Sequence, residues 1–512
     1  MKISDAISSE EMVAIEGNAE HLGISRLLLM ENAGRAVADE ILKRIKPESC
    51  VVIFSGLGGN GGDGFVTARH LASHCKIHLV VLGNPSLIKH AEALINWEIV
   101  NKMHHSLRIH VVRSASELPD IKSSVVVDAI LGTGMRGTPR EPMLQALQLM
   151  NRMSGTKIAV DLPTGLHPDT GVLTTESAFQ PDITITFHRP KQGLVRGKEH
   201  IGKLVVADIG IPPEAELYIG PGDILRVYKP RHPHTKKGDF GRLLIIGGSD
   251  RYVGAPILAS LGALRSGVDI IYLAAPPNVI SAATSQSPDI IPIPFKTKIL
   301  KEATLSKIHG SIKQVDALLI GPGLGEHSET LAAARQVFSL AAQHDKPTIV
   351  DADALKVISE VEKLSSTTII TPHAGELSYI TGRTVSQSLD KRAQEVRTLA
   401  RKLGCVVLLK GPVDIIADPE KTRYNWTGTP ALSIGGTGDV LAGVISGIRA
   451  QGVQSFLAAC VGAFINGAAG QLAFQDKGVG LVASDLTEHI HRVIIDPGAI
   501  RALYHSQISI EE

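Results

Sequence analysis

Three stretches of this 512-residue chain, residues 55–64, 125–165 and 435–439, carry residue types and spacings that could do chemistry. The first is Ser55-Gly56-Leu57-Gly58-Gly59-Asn60-Gly61-Gly62-Asp63-Gly64, which follows the apolar run at residues 51–54. Gly56, Gly58 and Gly61 satisfy GxGxxG, whose small residues let backbone amides approach a pyrophosphate at a positively polarised helix N-terminus. An ordinary dinucleotide fingerprint also needs an acid about 20 residues on, at the end of the next strand. Here that strand ends in Gly83-Asn84, so the local alternative stays open: a tight strand-to-helix turn in which Asp63 caps its helix. In the second segment, Val125-Val126-Val127-Asp128 leads into Gly132-Thr133-Gly134-Met135-Arg136-Gly137, and Ile158-Ala159-Val160-Asp161 leads into Leu162-Pro163-Thr164-Gly165. An acid directly after a buried parallel strand points into the crevice where open α/β sheets bind ligands. Either Asp alone reads equally well as a structural cap, but three polar strand ends with glycine loops converge on one cleft. The third segment is Gly435-Gly436-Thr437-Gly438-Asp439, ahead of an apolar helix. Gly435 to Gly438 free consecutive backbone amides, with Gly436, Thr437 and Gly438 as the candidate anion hole for a transferring phosphate, and Asp439 can take a hydroxyl's proton. The local alternative is a glycine-rich helix start whose Asp the dipole favours. The helix dipole should keep Asp439 ionised and weakly basic, which phosphoryl transfer tolerates. No GK[ST] follows, so this is not a P-loop.

The elements that position these loops follow from hydrophobic periodicity. Helices are predicted at residues 9–20 and 26–45, then strands at 51–54, 77–82, 108–112, 125–127, 158–160 and 183–187, with helices at 63–72 and 142–150 between them. Such alternation implies a parallel sheet with helices on both faces. Residues 214–241 are rich in Pro, Gly and basic side chains and read as a linker, with the boundary near Tyr228. A second alternation follows, with strands at 243–246, 270–274, 317–320, 348–350, 368–370 and 406–409 and closing helices at 438–451, 454–474 and 484–504. The expected fold is α/β: a Rossmann-like three-layer αβα domain over residues 1–224 and a second αβα domain over residues 225–512.

Composition narrows the function. With 52 Lys plus Arg against 51 Asp plus Glu, the net charge of +1 offers no footprint for nucleic acid or an anionic membrane. Cys50, Cys75, Cys405 and Cys460 show no CxxC spacing, which argues against a zinc knuckle or disulfide scaffold and suits a reducing cytoplasm. The start has no apolar leader core, and the most membrane-like stretch, residues 457–474, is interrupted by Asn466 and Gln471 and reads as a buried helix. His104, His105, His232, His234, His489 and His491 lack a convincing zinc spacing and are expected to face solvent.

The runs GLGGNGGDG, VVDAILGTGMRG and AVDLPTG, in that order, resemble the NAD(P)HX epimerase family, the YjeF N-terminal domain. That resemblance implies that Asn60, Asp128 and Thr164 hold a potassium ion. It implies that Gly59, Asn60, Gly61, Gly62 and Asp63, with Gly132, Thr133, Gly134, Met135, Arg136, Gly137 and Thr138, cradle the damaged dinucleotide. Asp161 would sit at the reacting ring as acid or base. Farther on, GGTGDVLAG, PHAGE, GPGLG and DADAL resemble the ribokinase-like NAD(P)HX dehydratase family. By that resemblance Ala255, Gly323, His373 and Asp439 contact the hydrated nicotinamide nucleotide, while Lys410, Gly411, Pro412, Val413, Asp414 and Gly438 hold ADP with magnesium. A His after Thr-Pro is also a common helix cap, so His373 has a second reading.

Together the two resemblances imply a cytoplasmic repair enzyme, expected as a homo-oligomer. One half would interconvert the R and S forms of NADHX or NADPHX, and the other would dehydrate the S form with ADP. Two alternatives remain at this level: a ribokinase-type small-molecule kinase with an inert N-terminal domain, and a nucleotide sensor that binds without turnover.

Overall fold

The computed structural model describes residues 5–134, 137–228 and 231–500. The chain divides into two compact units, Met1–Pro213 and Glu214–Glu512. Seven strands build the sheet of the first unit: β1 (Cys50–Ser55), β2 (Lys76–Leu82), β3 (Leu107–Val112), β4 (Val125–Ala129), β5 (Thr156–Val160), β6 (Ile183–Phe187) and β7 (Lys203–Ala207). Their order is β3-β2-β1-β4-β5-β6-β7, and every pairing is parallel. The chain runs outward from β1 in one direction and then returns to β4 to run outward in the other. The β1/β4 junction is therefore the switch point, where loops leave the sheet on opposite faces and open a crevice.

The sheet of the second unit contains β8 (Arg242–Ile246), β9 (Ile270–Ala275), β10 (Ile290–Pro294), β11 (Ala317–Ile320), β12 (Thr348–Val350), β13 (Ile369–Ile370), β14 (Val406–Leu409), β15 (Asp414–Ala417) and β16 (Thr422–Asn425). Its order is β10-β9-β8-β11-β12-β13-β14-β15-β16, parallel except for the antiparallel pairs β14–β15 and β15–β16. Both faces are buried, as a parallel sheet requires. Along β8, Leu243 and Ile245 pack into one core with the helix Thr437–Ala450, whereas Leu244 and Ile246 pack into another with the helix Ser328–Gln343. Among the described residues one helix, Ser455–Lys477, is long and apolar enough to cross a membrane, and 83% of its most apolar window lies inside this unit, so its apolarity serves the core.

The linker expected over residues 214–241 is corrected in its first half, and the division falls before Glu214 rather than after residue 224. The helix Pro221–Val227 belongs to the second unit because Ile219 and Ile224 join its core. Arg423 on β16 also binds both oxygens of the buried Asp223, at 2.5 and 2.8 Å. At the other end, the helix predicted over 484–504 is Ala483–Ile495 followed by a tight turn at Pro497–Ile500, and its last expected residues lie outside those described.

Candidate active sites

In the first unit, the glycine-rich loop after β1 and the loop after β4 lock together backbone to backbone. A Cβ on Gly56 would lie 2.2 Å from the Ile130 carbonyl oxygen, and one on Gly61 would lie 2.0 Å from that of Gly56. These two glycines are thus demanded by packing. Gly58, Gly59, Gly134 and Gly137 meet nothing within 4 Å and leave their backbone open to a ligand. The helix Gly59–Leu71 begins at this loop and places Asn60 and Asp63 in its first turn. Asp63 caps nothing through its side chain among the described residues; burial, then the nearby Asp161 and Glu16, push its carboxyl well above the usual range, with Lys191 opposing.

Asp128, Thr164 and Asn60 converge at the switch point. Asp128 is fully buried and accepts hydrogen bonds from the Thr164 N–H and hydroxyl, both at 2.7 Å, and from the Ile130 N–H at 3.1 Å. Burial pushes its carboxyl up to about 6 against the pull of these donors. The Thr164 hydroxyl also accepts from the Leu131 N–H at 3.1 Å. Asn60 is the anomaly: both its side-chain polar atoms are buried without a hydrogen-bond partner. Such orphans are costly in a native structure and mark a place where a ligand belongs. A Cβ on Gly132 would lie 3.3 Å from Asn60 Oδ1 and 3.1 Å from Asp161 Oδ2, so the absence of a side chain there leaves the space between them open. An amide oxygen, a carboxylate and a hydroxyl make a hard-oxygen donor set that fits an alkali cation.

Asp161 follows β5 with φ +63°, a strained conformation for a residue other than glycine. Its Oδ2 accepts from the Thr133 N–H at 3.3 Å, and its Oδ1 accepts from the Lys191 ammonium at 2.7 Å and the Thr186 hydroxyl at 3.2 Å. Sequence reasoning missed Lys191, since a lysine inside Arg189-Pro190-Lys191-Gln192 carries no motif-level signal. Of the expected dinucleotide cradle, Gly132, Thr133 and Gly134 line this cleft. Thr138 is exposed and donates to the Thr174 carbonyl at 3.2 Å, and Met135 and Arg136 lie outside the described residues.

In the second unit the loops after β8, β11, β12, β13 and β14 meet at the carboxyl edge of the sheet. A Cβ on Gly323 would lie 3.3 Å from that of Ala255, which places those two residues side by side. The Gly325 N–H donates to Asp353 at 2.8 Å, tying the loop after β11 to the loop after β12. Lys410, at the end of β14, donates to Asp351 Oδ1 at 2.8 Å, and a Cβ on Gly438 would lie 3.5 Å from its ammonium. Burial lowers the Lys410 pKa, but Asp351 and Glu376 outweigh it and hold the amine above its usual value.

The helix Thr437–Ala450 starts from Gly436 at φ +99°, a conformation that glycine adopts at little cost. The Thr437 hydroxyl donates to the Leu432 and Ile434 carbonyls at 3.0 and 3.2 Å, which folds the loop over the helix end. By helix geometry the first N–H groups point out of that end. Asp439 stands in this first turn, and its expected low pKa is corrected. Burial, then the like charge of Asp351, push it from 3.8 to about 7; Lys410 opposes, and Asp353 and Glu376 add to the rise. Desolvation and neighbouring carboxylates outweigh the lowering expected from the helix dipole.

Two further expectations concern this edge, and a third lies away from it. His373 is a helix cap: its Nδ1 accepts from the Gly375 and Glu376 N–H groups at 3.0 and 3.2 Å, and the exposed ring stands at the mouth of the cleft. Asp414 turns inward, accepting from the Gly411 N–H and the Asn425 amide, both at 3.0 Å, so it shapes the Lys410–Asp414 turn. Away from the cleft, His489 is buried at 3% exposure, 3.4 Å from Asp476, and is corrected from solvent-facing.

Two parallel-sheet units, each gathering glycine-lined amides and a carboxylate at its carboxyl edge, define a two-site α/β nucleotide-handling enzyme. Residues 26–193 match the YjeF-related protein N-terminus family, and residues 243–492 match the NAD(P)H-hydrate dehydratase family. The chain is 43% identical to a bifunctional NAD(P)H-hydrate repair enzyme of Hyperthermus butylicus, covering 97% of this chain and 93% of that one. It is 42% identical to one of Pyrobaculum aerophilum, covering 96% and 98%. A solved ADP/ATP-dependent NAD(P)H-hydrate dehydratase of Bacillus subtilis, co-crystallised with ATP and magnesium, is 28% identical with a TM-score of 0.46, covering 54% of this chain and 97% of that one. The chain belongs to the family of bifunctional NAD(P)H-hydrate repair enzymes, which sets aside the kinase and sensor alternatives.

Proposed function

We propose that the first unit epimerises NAD(P)HX at Asp161 and that the second dehydrates the S epimer at Asp439 with ADP as phosphoryl donor. In NADHX a water has added across a ring double bond, so the hydroxyl-bearing carbon adjoins the ring nitrogen. Reversible opening or iminium formation there permits inversion, provided a nearby group moves a proton. Asp161 supports that role because it lies between the open loop after β4 and the orphaned Asn60, a placement worth about 10²- to 10⁴-fold in such catalysis. Asn60, Asp128 and Thr164 would hold a potassium ion, whose charge would order the loops around anionic phosphates.

In the second unit the observation that carries the reading is Asp439, lifted to about 7 within the first turn of a helix whose amides face outward. Asp439 takes the proton from the added hydroxyl as that oxygen attacks the terminal phosphorus of ADP and AMP leaves. The amides of Gly436, Thr437 and Gly438 receive the charge on the transferring group. The ring nitrogen's lone pair then forms an iminium as the C–O bond of the ester breaks and inorganic phosphate leaves with its electrons, and loss of a proton from the neighbouring carbon restores NADH or NADPH. Lys410 is set to face the nucleotide phosphates, and magnesium would neutralise their charge beside Asp351, Asp353 and Glu376. The free thiols of the four cysteines suit the cytoplasm.

The test mixes the full chain with each purified epimer, ADP and magnesium, and follows NADH absorbance. Both epimers should recover fully. Asp161→Asn should leave the R epimer stranded, and Asp439→Ala should abolish recovery of both; wild-type rates in either variant overturn the corresponding half.

A further inference from the structure

We infer that Lys191 is a positioning residue of the epimerisation site, held in place by the N-terminal segment, and that it fixes which oxygen of Asp161 faces substrate. The inference rests on the reading of Asp161 as the proton-moving group. The Lys191 side chain is 1% exposed, and its ammonium is fully engaged: Asp161 Oδ1 at 2.7 Å, the Thr186 hydroxyl at 3.1 Å and the Phe187 carbonyl at 3.1 Å. Three donors meet three acceptors, so the amine cannot also bind a phosphate. Oδ1 of Asp161 is thereby committed to the interior. Oδ2 holds only the longer 3.3 Å bond from the Thr133 N–H and faces the gap beside Gly132 and Asn60. One oxygen anchored and one presented is what directional proton transfer requires.

The loop carrying Lys191 is itself clasped. Ile7 pairs with Lys191 as an isolated bridge, its N–H donating to the Pro190 carbonyl and its carbonyl accepting from the Gln192 N–H, both at 2.9 Å. Ser9 fastens the same segment through its N–H and hydroxyl, both 2.7 Å from Asp169. The first residues of the chain thus set the depth at which the ammonium meets Asp161. Other charged groups reach this centre from three further elements: Glu16 on the first helix, Asp63 in the glycine-rich turn, and Glu92 on the helix Ala91–Val100, with Arg26 beside Glu16. Lys191 lies buried amid these acids, its ammonium on Asp161.

The test uses the full chain, whose second unit supplies an internal readout. The R epimer with ADP reports epimerisation as the slow step, and the S epimer with ADP bypasses it. Lys191→Met should lower kcat for R-epimer recovery about 100-fold with KM changed less than threefold. It should leave S-epimer dehydration unchanged. Lys191→Arg should restore part of the rate. In an Asp161→Asn background, Lys191→Met should cost no further rate, because its only catalytic contact is gone. Unchanged kcat in Lys191→Met, or an equal loss with and without Asp161, overturns the inference; a wild-type rate in Asp161→Asn alone instead overturns the reading beneath it.

Discussion

If Asp439 titrates near 7 because it is buried among carboxylates, dehydration must weaken as pH falls through neutrality. A raised carboxylate pKa means the base is protonated below that value. With a midpoint of about 7 the ionised fraction is about one-eleventh at pH 6 and ten-elevenths at pH 8, so kcat/KM should rise about tenfold across that interval. This parameter reports the enzyme before the hydrate binds, the state the structure describes. The decisive perturbation is Asp353→Asn. Asparagine keeps an oxygen for the Gly325 N–H, 2.8 Å from the present carboxylate, but removes one of the like charges that raise Asp439. The acidic limb should move toward lower pH by less than one unit, which corresponds to under about 1.4 kcal/mol. The assay is NADH appearance from the S epimer at fixed, subsaturating ADP between pH 5.5 and 8.5. Titration of the nucleotide itself is common to both proteins and cancels in the comparison. A flat profile from pH 6 to 8, or a limb that moves toward alkaline pH in Asp353→Asn, refutes the electrostatic argument.

Three other outcomes follow from the same geometry. Thr164→Val keeps the side-chain shape but deletes the 2.7 Å donor to the fully buried Asp128, so the first unit should lose about 1.5–3 kcal/mol in a denaturant titration. Arg423→Met removes the guanidinium that grips both oxygens of Asp223, which is buried at 1% exposure, so the second unit should lose about 1.5–3 kcal/mol in the same experiment. Replacing potassium by choline should slow recovery of the R epimer while leaving that of the S epimer unchanged, and Asn60→Ala should make R-epimer recovery insensitive to the exchange.

Most strands that sequence reading recovers are buried on both faces. Val51 to Phe54 and Ala317 to Ile320 are wholly buried on both faces, so continuous β-branched or aliphatic runs announce them. The strands it misses lie at or near the sheet edges, where other rules apply. β10 reads Ile-Ile-Pro-Ile-Pro, and its two prolines argue against a strand until the sheet order puts it outermost, beyond β9. β7 is the opposite edge of the first sheet, half-exposed and opened by a lysine. β15 and β16 form an antiparallel hairpin appended to a parallel sheet, and four-residue strands leave too little pattern to detect.

The sites divide along a similar line. Asp128, Asp161 and Asp439 were legible because an acid at a strand end or helix start beside glycines is a local pattern. Lys191 was not, since its meaning lies 30 residues away in Asp161 and, through Ile7, near the start of the chain. The protonation of Asp439 was misjudged for the same reason. The helix dipole is visible in the sequence, whereas Asp351, Asp353 and Glu376 arrive from other strand ends only after folding. The long-range terms reverse the local one and lift this carboxyl to about 7.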